Sequence, residues 1–324
     1  MAALTEARGR LSKGELVVSG SLLDTFSTCK RMAWYRYVQG IIPKSFQFPF
    51  FTGEMGHLGL ELYFRDWDMD KALGHVYEEI NLRRKGLFMD AKTEDRFSKE
   101  AAVVMGSLTA YPKYYDKDQD NFKVIDTEIV FERFEVAPGI FIKGKVDLLA
   151  RNEFGRLFIG EHKFMSMLSD AYVQSLPLAW QSILYPLAME GMFGQRVSYI
   201  TYDMVRKSAL RLKKTETPAQ LNARTAEDYI FRPADYFKRE SIPVGQRRRK
   251  TVIEDLRAIC KSLAELMEHA DDESAWYREP KMCARYSLCG YFPLCYRGIR
   301  SDTMMNYDIM PDEDKKDNLE VDNE

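Results

Sequence analysis

The protein has 324 residues, of which 45% are hydrophobic, and a formal net charge of −2. No run of about 18 uncharged apolar residues occurs and the N-terminus lacks the apolar stretch of a signal peptide, which argues against a membrane-spanning or secreted protein. We therefore expect a globular cytoplasmic protein without membrane contact. The cytoplasm keeps thiols reduced, so its five cysteines do not predict a disulfide framework.

The spacing of hydrophobic residues predicts a series of helices and strands in chain order. These are helices at 21–37, 53–67, 70–84 and 93–115, strands at 122–133, 134–150 and 156–163, a helix at 171–192 and a strand at 197–203. This order is typical of an α/β fold in which a mixed β-sheet is flanked by helices. A basic stretch from Lys238 to Lys250, which contains Pro and Gly, predicts a linker before a last helix at 252–269.

The elements group into four predicted regions. They are an N-terminal helical segment with Cys29 at 1–52, a core at 53–210 with a helical insertion at about 70–118, a basic linker, helix and cysteine-rich metal-binding end at 211–300, and an acidic disordered tail at 301–324. From Pro311 onward the sequence has seven acidic residues and two lysines, a net charge of −5, so the remainder of the chain has a net charge of +3. The overall charge therefore neither requires nor excludes a nucleic-acid partner.

Two acids and a lysine lie on neighbouring predicted strands. Asp147 ends the run Gly-Lys-Val-Asp, and Glu161 and Lys163 share one face of the next strand, because side chains alternate along an extended chain. A hairpin can bring Asp147 beside them and create an oxygen site for Mg²⁺ or Mn²⁺, with a lysine to act on a water molecule. A Glu-x-Lys triplet alone is common, but the apolar residues around this one predict buried strands, and buried charge needs a partner or a metal.

Four short motifs in order extend this pattern. They are Gly53-Glu-Met-Gly-His57, Gly144-x-x-Asp147, Glu161-x-Lys163 and Gln181-Ser-Ile-Leu-Tyr185. Together they resemble the PD-(D/E)XK nuclease superfamily and, within it, the RecB-like exonucleases. The resemblance implies that His57, Asp147 and Glu161 bind the metal and that Lys163, Gln181 and Tyr185 complete the catalytic site. An imidazole ligand tilts the metal preference from Mg²⁺ towards Mn²⁺.

Three cysteines recur every six residues near the C-terminus. Cys283, Cys289 and Cys295 share a loop with Gly and Pro, a pattern that indicates metal ligands in a cytoplasmic protein. A fourth ligand could be Cys29 or Cys260, and Cys29 is preferred because Cys260 lies on the apolar stripe of its predicted helix.

The cysteine pattern is similar to the iron-sulfur subset of RecB-like nucleases, which includes AddB-type nuclease domains and the exonucleases of CRISPR adaptation. That similarity implies a structural 4Fe-4S cluster held by Cys29 and the three C-terminal cysteines. The usual C-terminal spacing is Cys-x2-Cys-x5-Cys, whereas five residues separate the first two cysteines here. A tetrahedral zinc site remains the alternative.

Basic residues follow the last predicted strand of the core. Lys207, Arg211 and Lys213 are candidates for contacts with DNA phosphates, which neutralise charge without reading sequence. A second run, from Arg247 to Lys250, is equally well explained as a solvated face.

These features support three functional hypotheses. The first is a Mg²⁺- or Mn²⁺-dependent exonuclease that acts on the ends of single-stranded DNA in recombination, repair or phage DNA processing. We expect it in the cytoplasm of a bacterial or phage-infected cell, where a recombination or replication protein could be its partner. The second is a non-catalytic iron-sulfur protein that binds DNA or recruits a partner on the same fold. The third is a redox sensor that uses the cluster.

Overall fold

A computed structural model of the chain describes residues 15–44, 48–87, 90–115, 122–285 and 288–311. Its strands are β1 (Leu16–Ser19), β2 (Ile41–Pro43), β3 (Phe122–Ala137), β4 (Ile140–Asn152), β5 (Leu157–Met165), β6 (Val197–Arg206), β7 (Phe237–Pro243) and β8 (Tyr307–Ile309). Its α-helices are α1 (Gly20–Thr28), α2 (Lys30–Ala33), α3 (Phe48–Asp66), α4 (Met69–Lys85), α5 (Ala91–Tyr115), α6 (Asp170–Ser175), α7 (Gln181–Phe193), α8 (Pro218–Phe231), α9 (Pro233–Tyr236), α10 (Gln246–Met267), α11 (Phe292–Arg297) and α12 (Ser301–Met304).

The chain divides into two compact units. The first comprises the described residues of Met1–Phe46, Phe131–Gly144 and Gly245–Glu324, and the second comprises those of Gln47–Val130 and Lys145–Val244. No helix within the described ranges is long and apolar enough to cross a membrane.

In the first unit, β1 pairs in parallel with the beginning of β4, and β2 pairs antiparallel with β8. Its core is aromatic: Phe26 of α1 meets Trp276 edge-on at a ring distance of 6.3 Å, and both side chains are buried. The apolar stripe of α10, which includes Leu256, Cys260 and Leu263, is also buried. Burial of large apolar side chains of this kind is the main stabilising contribution to such a core.

The second unit contains a mixed sheet. Strand β4 pairs antiparallel with β5, β5 pairs in parallel with β6, and β6 pairs antiparallel with β7. Residues 157–162 of β5 are buried on both faces, as expected for a strand covered on each side. The predicted α/β fold with a mixed sheet flanked by helices is confirmed.

Helices of the second unit pack closely against one another. Helix α5 lies along α8, where a Cβ atom at Gly106 would come within 3.0 Å of the backbone nitrogen of Ala226. Helices α3, α4 and α5 contact one another, and α7 packs on β6. The predicted helices at 70–84 and 93–115 correspond to α4 and α5, and residues 116–118 of the predicted insertion lie outside the described residues.

Two predicted helices are interrupted. The helix predicted at 21–37 breaks at Cys29, whose backbone is extended with φ −160° and ψ 116°, and continues as α2 and a π-helical turn at Trp34–Val38. The helix predicted at 171–192 divides at the 3₁₀ turn Leu176–Leu178, because Pro177 has no N–H to donate and disfavours a helical residue before it.

The predicted linker at 238–250 is wrong, because it contains β7 and the beginning of α10. Strand β7 pairs with β6 along its length and buries Phe237 and Ile242. Helix α8 was not predicted, although its start carries a capping box. Thr217 and Gln220 cap each other's backbone, and Pro218 occupies the first turn, where a missing N–H costs nothing.

The region predicted as a disordered tail begins too early. Residues 301–311 include α12 and β8, and Tyr307 is buried. Its ring stacks near Tyr291 at 6.1 Å, and its hydroxyl donates to the carbonyl oxygen of Gly290 at 2.6 Å. Aromatic burial therefore outweighs the acidic composition in this segment. Residues 312–324 lie outside the described residues.

Candidate active site

A hairpin places the predicted acids side by side in the second unit. Leu148 of β4 faces Gly160 of β5, so the next residues along the two strands, Asp147 and Glu161, come together. Asp147 Oδ2 accepts a hydrogen bond of 2.7 Å from the backbone nitrogen of His162. Asp147 is 6% exposed and Glu161 is 2% exposed. The strand pair therefore holds two nearly buried carboxylates next to each other.

Helix α3 brings His57 to this pair. His57 Nδ1 lies 3.3 Å from Asp147 Oδ1. A Cβ atom at the preceding residue, Gly56, would lie only 2.3 Å from the ring of Phe164 on β5, so the absence of a side chain allows the close approach of helix and strand. This glycine sets the distance at which an imidazole meets the carboxylate.

A third acid, Glu128 of β3, joins His57 and Asp147. One potential ligand atom from each of these three residues lies within 4.8 Å of those from the other two. Glu128 has a positive φ of 53°, a conformation that a residue with a side chain rarely adopts, and its carboxylate pairs with Lys145. Strain of this kind is common at functional sites.

A hydrogen-bonded network surrounds Glu161 and Lys163. Lys163 Nζ donates to Glu161 Oε1 at 2.5 Å and to Gln181 Oε1 at 2.9 Å, and Gln181 Nε2 donates to Glu161 Oε1 at 2.9 Å. Gln181 Nε2 also lies 3.3 Å from the hydroxyl of Tyr185, one turn later on α7. Gln181 therefore orients the acid and the lysine at the same time.

The environment separates the pKa values of the two acids. Burial alone would raise the pKa of Asp147, but the hydrogen bond and the charge of His57, with His162, lower it to about 2. Burial and the charge of Asp147 raise the pKa of Glu161, although Lys163 opposes them. Glu161 Oε2 is buried without a hydrogen-bond partner among the described residues. Such a desolvated acidic site favours a bound cation.

The acids of the site raise the pKa values of its basic groups. Burial would lower the pKa of Lys163, but the charge of Glu161 and their hydrogen bond raise it above its usual range. Burial also opposes protonation of His57, while its hydrogen bond to Asp147 and the charges of both acids raise its pKa. Burial and the charge of Glu161 raise the pKa of Tyr185 to about 12, so its hydroxyl stays protonated near neutral pH.

Two of the three predicted DNA contacts line a basic cavity of about 560 Å³ in the second unit. Lys207 and Arg211 meet Lys92, Arg96 and Lys99 of α5 there. Burial lowers the pKa of Lys207, and Glu100, 3.9 Å away, opposes this effect. Ser166, which follows β5 directly, also lines the cavity, so it lies three residues along the chain from Lys163.

Lys213 is not among the residues that line this cavity. Its backbone nitrogen donates to Glu216 at 3.0 Å, within the turn before α8. The run from Arg247 to Lys250 lies in the first two turns of α10, where cations do not complement the helix dipole.

The four predicted cluster cysteines lie on separate segments of the first unit. Cys29 lies between α1 and α2, Cys295 belongs to α11, and the backbone nitrogen of Cys289 donates to the carbonyl oxygen of Cys283 at 2.8 Å. Among the described residues, no three of these sulfur atoms lie within 4.8 Å of one another. The structure therefore does not by itself support a metal at these cysteines.

The thiols nevertheless influence one another. Burial raises the pKa of Cys289, and the charges of Cys283 and Cys29 contribute further to the rise. Burial raises the pKa of Cys295 to about 11, with contributions from Cys289 and Cys29. Cys260 is buried in the core, and burial alone raises its pKa to about 12.

Comparison with known proteins identifies the family. The family model of the PD-(D/E)XK nuclease superfamily matches residues 17–296. The chain belongs to this superfamily. No curated protein matches it significantly.

Two solved structures show limited likeness to this superfamily member. An exonuclease candidate from Eubacterium rectale shares 12% identity over 81% of this chain and 84% of its own, with a TM-score of 0.40. The protein SSO0001 shares 15% identity over 70% of this chain and 84% of its own, with a TM-score of 0.25. The family assignment therefore rests on the family model.

The acidic site fits the divalent metal that the superfamily uses. Its donors are the hard carboxylate oxygens of Asp147 and Glu128 and one imidazole, and Glu161 offers an oxygen without a partner among the described residues. Sequence motifs did not indicate Glu128. Lys92, Arg96 and Lys99 were also missed, although their spacing places them on one helix face.

Proposed function

We propose that this chain is a metal-dependent deoxyribonuclease that removes nucleotides from DNA ends. The proposal is carried by one observation: Gln181 joins Glu161 and Lys163 beside the His57–Asp147 pair, in a chain of the nuclease superfamily. In this proposal His57, Glu128, Asp147 and Glu161 hold Mg²⁺ or Mn²⁺. When bound, the metal would stabilise charge on a phosphate oxygen and lower the pKa of water.

The protein residues would supply position and charge. Lys163 stays protonated, and its ammonium group would orient a water molecule for in-line attack on phosphorus and stabilise developing negative charge. Gln181 keeps Lys163 and Glu161 at hydrogen-bonding distance, so the lysine cannot swing away from the acids. Attack by water at phosphorus would break the P–O3′ bond, so that one product carries a 5′ phosphate and the other, which takes the proton, a 3′ hydroxyl.

The basic cavity supports an action on strand ends. Five cations, Lys92, Arg96, Lys99, Lys207 and Arg211, share the cavity with two acids, Asp95 and Glu100, and the cavity begins three residues after Lys163. A cavity of this size would hold the phosphates of a flexible single-stranded end more readily than a continuous duplex. We place this activity in recombination, repair or phage DNA processing, with a recombination or replication protein as a partner.

A cleavage assay tests the proposal. End-labelled linear and unlabelled circular single-stranded DNA would be incubated with the full chain in Mn²⁺ or Mg²⁺. We expect linear DNA to be shortened, circular DNA to persist, and Asp147→Ala or Lys163→Ala to reduce the rate at least 100-fold. The exposed residues Asp255 and Lys261 of α10 give matched controls, Asp255→Ala and Lys261→Ala, which should retain full activity.

The outcomes separate the alternatives. Degradation of circular DNA at the same rate would indicate an endonuclease. Tight DNA binding without cleavage in either metal would instead support the non-catalytic DNA-binding or partner-recruiting protein.

We further propose that Cys29, Cys283, Cys289 and Cys295 hold a 4Fe-4S cluster of structural function. Support comes from the mutual charge effects of these thiols, which would be relieved when a metal takes thiolate ligands. Tetrahedral zinc with bonds of about 2.3 Å draws four sulfur atoms close together, whereas a four-iron cluster is larger and spreads its ligands. The two groups therefore require different distances between the four sulfur atoms.

Elemental analysis tests the cluster. Protein purified without oxygen should contain about four irons and four sulfides, and Cys29→Ser should lose them. Cys260→Ala, at the buried core cysteine, should retain the iron content. Stoichiometric zinc would favour the zinc alternative. The absence of both iron and zinc would contradict the proposal that these cysteines bind a metal. A cleavage rate that is the same for oxidised and reduced cluster would count against a redox sensor.

A further inference from the structure

The face of the second unit's sheet that is opposite Glu161 and Lys163 contains a cavity of about 330 Å³. Its floor consists of cross-strand rows from β5, β6 and β7. His162, Asp203 and Arg239 occupy one row, because His162 faces Asp203 and Asp203 faces Arg239 in the strand register. The volume lies within the range of about 300–1,000 Å³ for small-molecule sites.

One end of the cavity is polar and not fully paired. Asp203 Oδ2 accepts hydrogen bonds from the hydroxyl of Tyr111 and from Arg239 Nη2, the latter at 3.3 Å. Asp203 Oδ1 and His162 Nδ1 are buried and have no hydrogen-bond partner among the described residues. His162 Nδ1 lies 3.5 Å from Asp203 Oδ2 without forming a hydrogen bond. Buried polar atoms of this kind are normally paired, so a ligand that pairs them would bind favourably.

The other end of the cavity is flat and aromatic. Phe158 and Tyr199 are register neighbours whose rings lie parallel, with centroids 5.0 Å apart and an interplanar angle of 9°. Between the polar and aromatic ends lie the register neighbours Gly160 and Thr201, and the side chain of Leu148 covers Gly160. A planar ring is therefore the shape that this cavity accepts best.

The charges around the polar end restrict the ligand. The Arg239 guanidinium, 3.3 Å from Asp203 Oδ2, would repel an organic cation, and Asp203 and Glu153 would repel a phosphate. A carboxylate oxygen only accepts hydrogen bonds, so the ligand must offer an N–H to Asp203 Oδ1. An uncharged planar heterocycle with an amino group next to a ring nitrogen meets all these conditions, because that ring nitrogen can pair with His162.

We propose that this cavity binds a nucleobase through its amino edge, with the ring near Phe158 and Tyr199. The base would come from a free nucleoside or from a nucleic-acid strand. The residues that line the cavity do not include Glu161, Lys163 or Gln181, although the ring of His162 lies 6.1 Å from that of the proposed metal ligand His57. The inference does not require nuclease activity.

Calorimetric titration of the full chain in EDTA tests the site without DNA cleavage. The probes are adenosine, N6,N6-dimethyladenosine, which has lost the amino N–H groups, benzylamine as an organic cation and inorganic phosphate. Adenosine should bind at one site, and the dimethyl analogue should bind about tenfold more weakly or not at all. Thr201→Leu fills the centre of the floor without touching the polar end and should weaken adenosine binding at least tenfold.

The matched control is Thr251→Leu, because Thr251 is exposed on α10. Its affinity for adenosine should equal that of the unsubstituted protein. The proposal is overturned if adenosine does not bind at concentrations up to about 10 mM, if Thr201→Leu binds it normally, or if benzylamine or phosphate binds as tightly. Thermal melting of both variants checks that they fold.

Competition distinguishes the two sources of the base. If a deoxyadenosine pentamer displaces adenosine and its abasic counterpart does not, the site binds a base that is part of a strand. If neither oligonucleotide displaces adenosine, the site takes free nucleosides. Either result supports a nucleobase site.

Discussion

His57 Nδ1 and Asp147 Oδ1 lie 3.3 Å apart, and this pairing determines how both groups titrate. Burial alone would raise the pKa of Asp147, but His57, together with His162, lowers it from 3.8 to about 2. Burial would lower the pKa of His57, but Asp147 raises it above 6.5. The ionised Asp147 therefore adds stability above about pH 4 that is lost as the pH falls towards 2. The protonated His57 adds stability below pH 6.5 that is lost as the pH rises through its raised pKa.

We predict that His57→Gln lowers the free energy of unfolding by about 2 kcal/mol at pH 5, where both groups are charged. The loss should be smaller at pH 9 than at pH 5, because raising the pH moves His57 towards its neutral form in the folded protein. Urea unfolding in EDTA measures both values. His75→Gln, at an exposed histidine of α4, should change neither, and an equal loss at both pH values for His57→Gln would contradict the proposed pairing.

Gln181 should matter more for turnover than for DNA binding. Gln181→Leu keeps a similar shape but removes the hydrogen bonds to Glu161 and Lys163, so we expect kcat to fall about 10- to 100-fold with little change in KM. Single-turnover cleavage measures the effect. Gln174→Leu, at an exposed glutamine of α6, is the control. An unchanged kcat would show that the lysine does not need this support.

Glu128 is predicted to be a metal ligand whose backbone is strained. Glu128→Gln should weaken Mn²⁺ binding about tenfold, whereas Glu132→Gln, at an exposed position of the same strand, should not. Glu128→Gly should also lose affinity but gain roughly 1 kcal/mol of stability, because glycine adopts the φ of 53° without strain. Calorimetry with Mn²⁺ and thermal unfolding in EDTA give the two readouts. A loss of stability in Glu128→Gly would contradict the proposed backbone strain at this residue.

The basic cavity predicts a change in salt dependence. Lys207→Ala should lower DNA affinity in EDTA and reduce the slope of log K against log salt by about 1, because one phosphate contact is lost. Lys213→Ala, outside the residues that line the cavity, should change the slope less. Fluorescence anisotropy at several salt concentrations measures both. Equal slopes for the two variants would argue against the cavity as the DNA site.

Parts of the site follow directly from sequence. The apolar residues around Asp147, Glu161 and Lys163 predict buried strands, and alternation places Glu161 and Lys163 on one face. The spacing of Gln181 and Tyr185 predicts a shared helix face, although not that Gln181 contacts both charged groups.

Other parts depend on tertiary structure. Glu128 resembles the other acids of its strand in sequence, and no local pattern predicts its positive φ or its position beside His57. The position of α5 beside Lys207 creates the basic cavity, and no local pattern in the sequence specifies that neighbour. Thr217 and Gln220 do signal the start of α8, but hydrophobic periodicity alone does not reveal it.

The contact between α3 and β5 also predicts the effect of adding one methyl group to the helix. Gly56→Ala would place a methyl group 2.3 Å from the Phe164 ring, so the helix or the ring must move. We expect a loss of about 1–3 kcal/mol and weaker Mn²⁺ binding through displaced His57. Gly74→Ala on α4 meets nothing within 4 Å and should gain roughly 0.5–1 kcal/mol. Chemical denaturation compares the two.

Because of the same contact, the side chains at positions 56 and 164 must together fit into one limited space. A larger residue on the helix can be accommodated only if the strand residue becomes smaller, so Gly56→Ala combined with Phe164→Leu should recover part of what the single substitution loses. Related sequences that carry alanine at the helix position should then carry a smaller side chain than phenylalanine on the strand. Covariation between these two positions would show that this contact limits how closely the helix can approach its sheet.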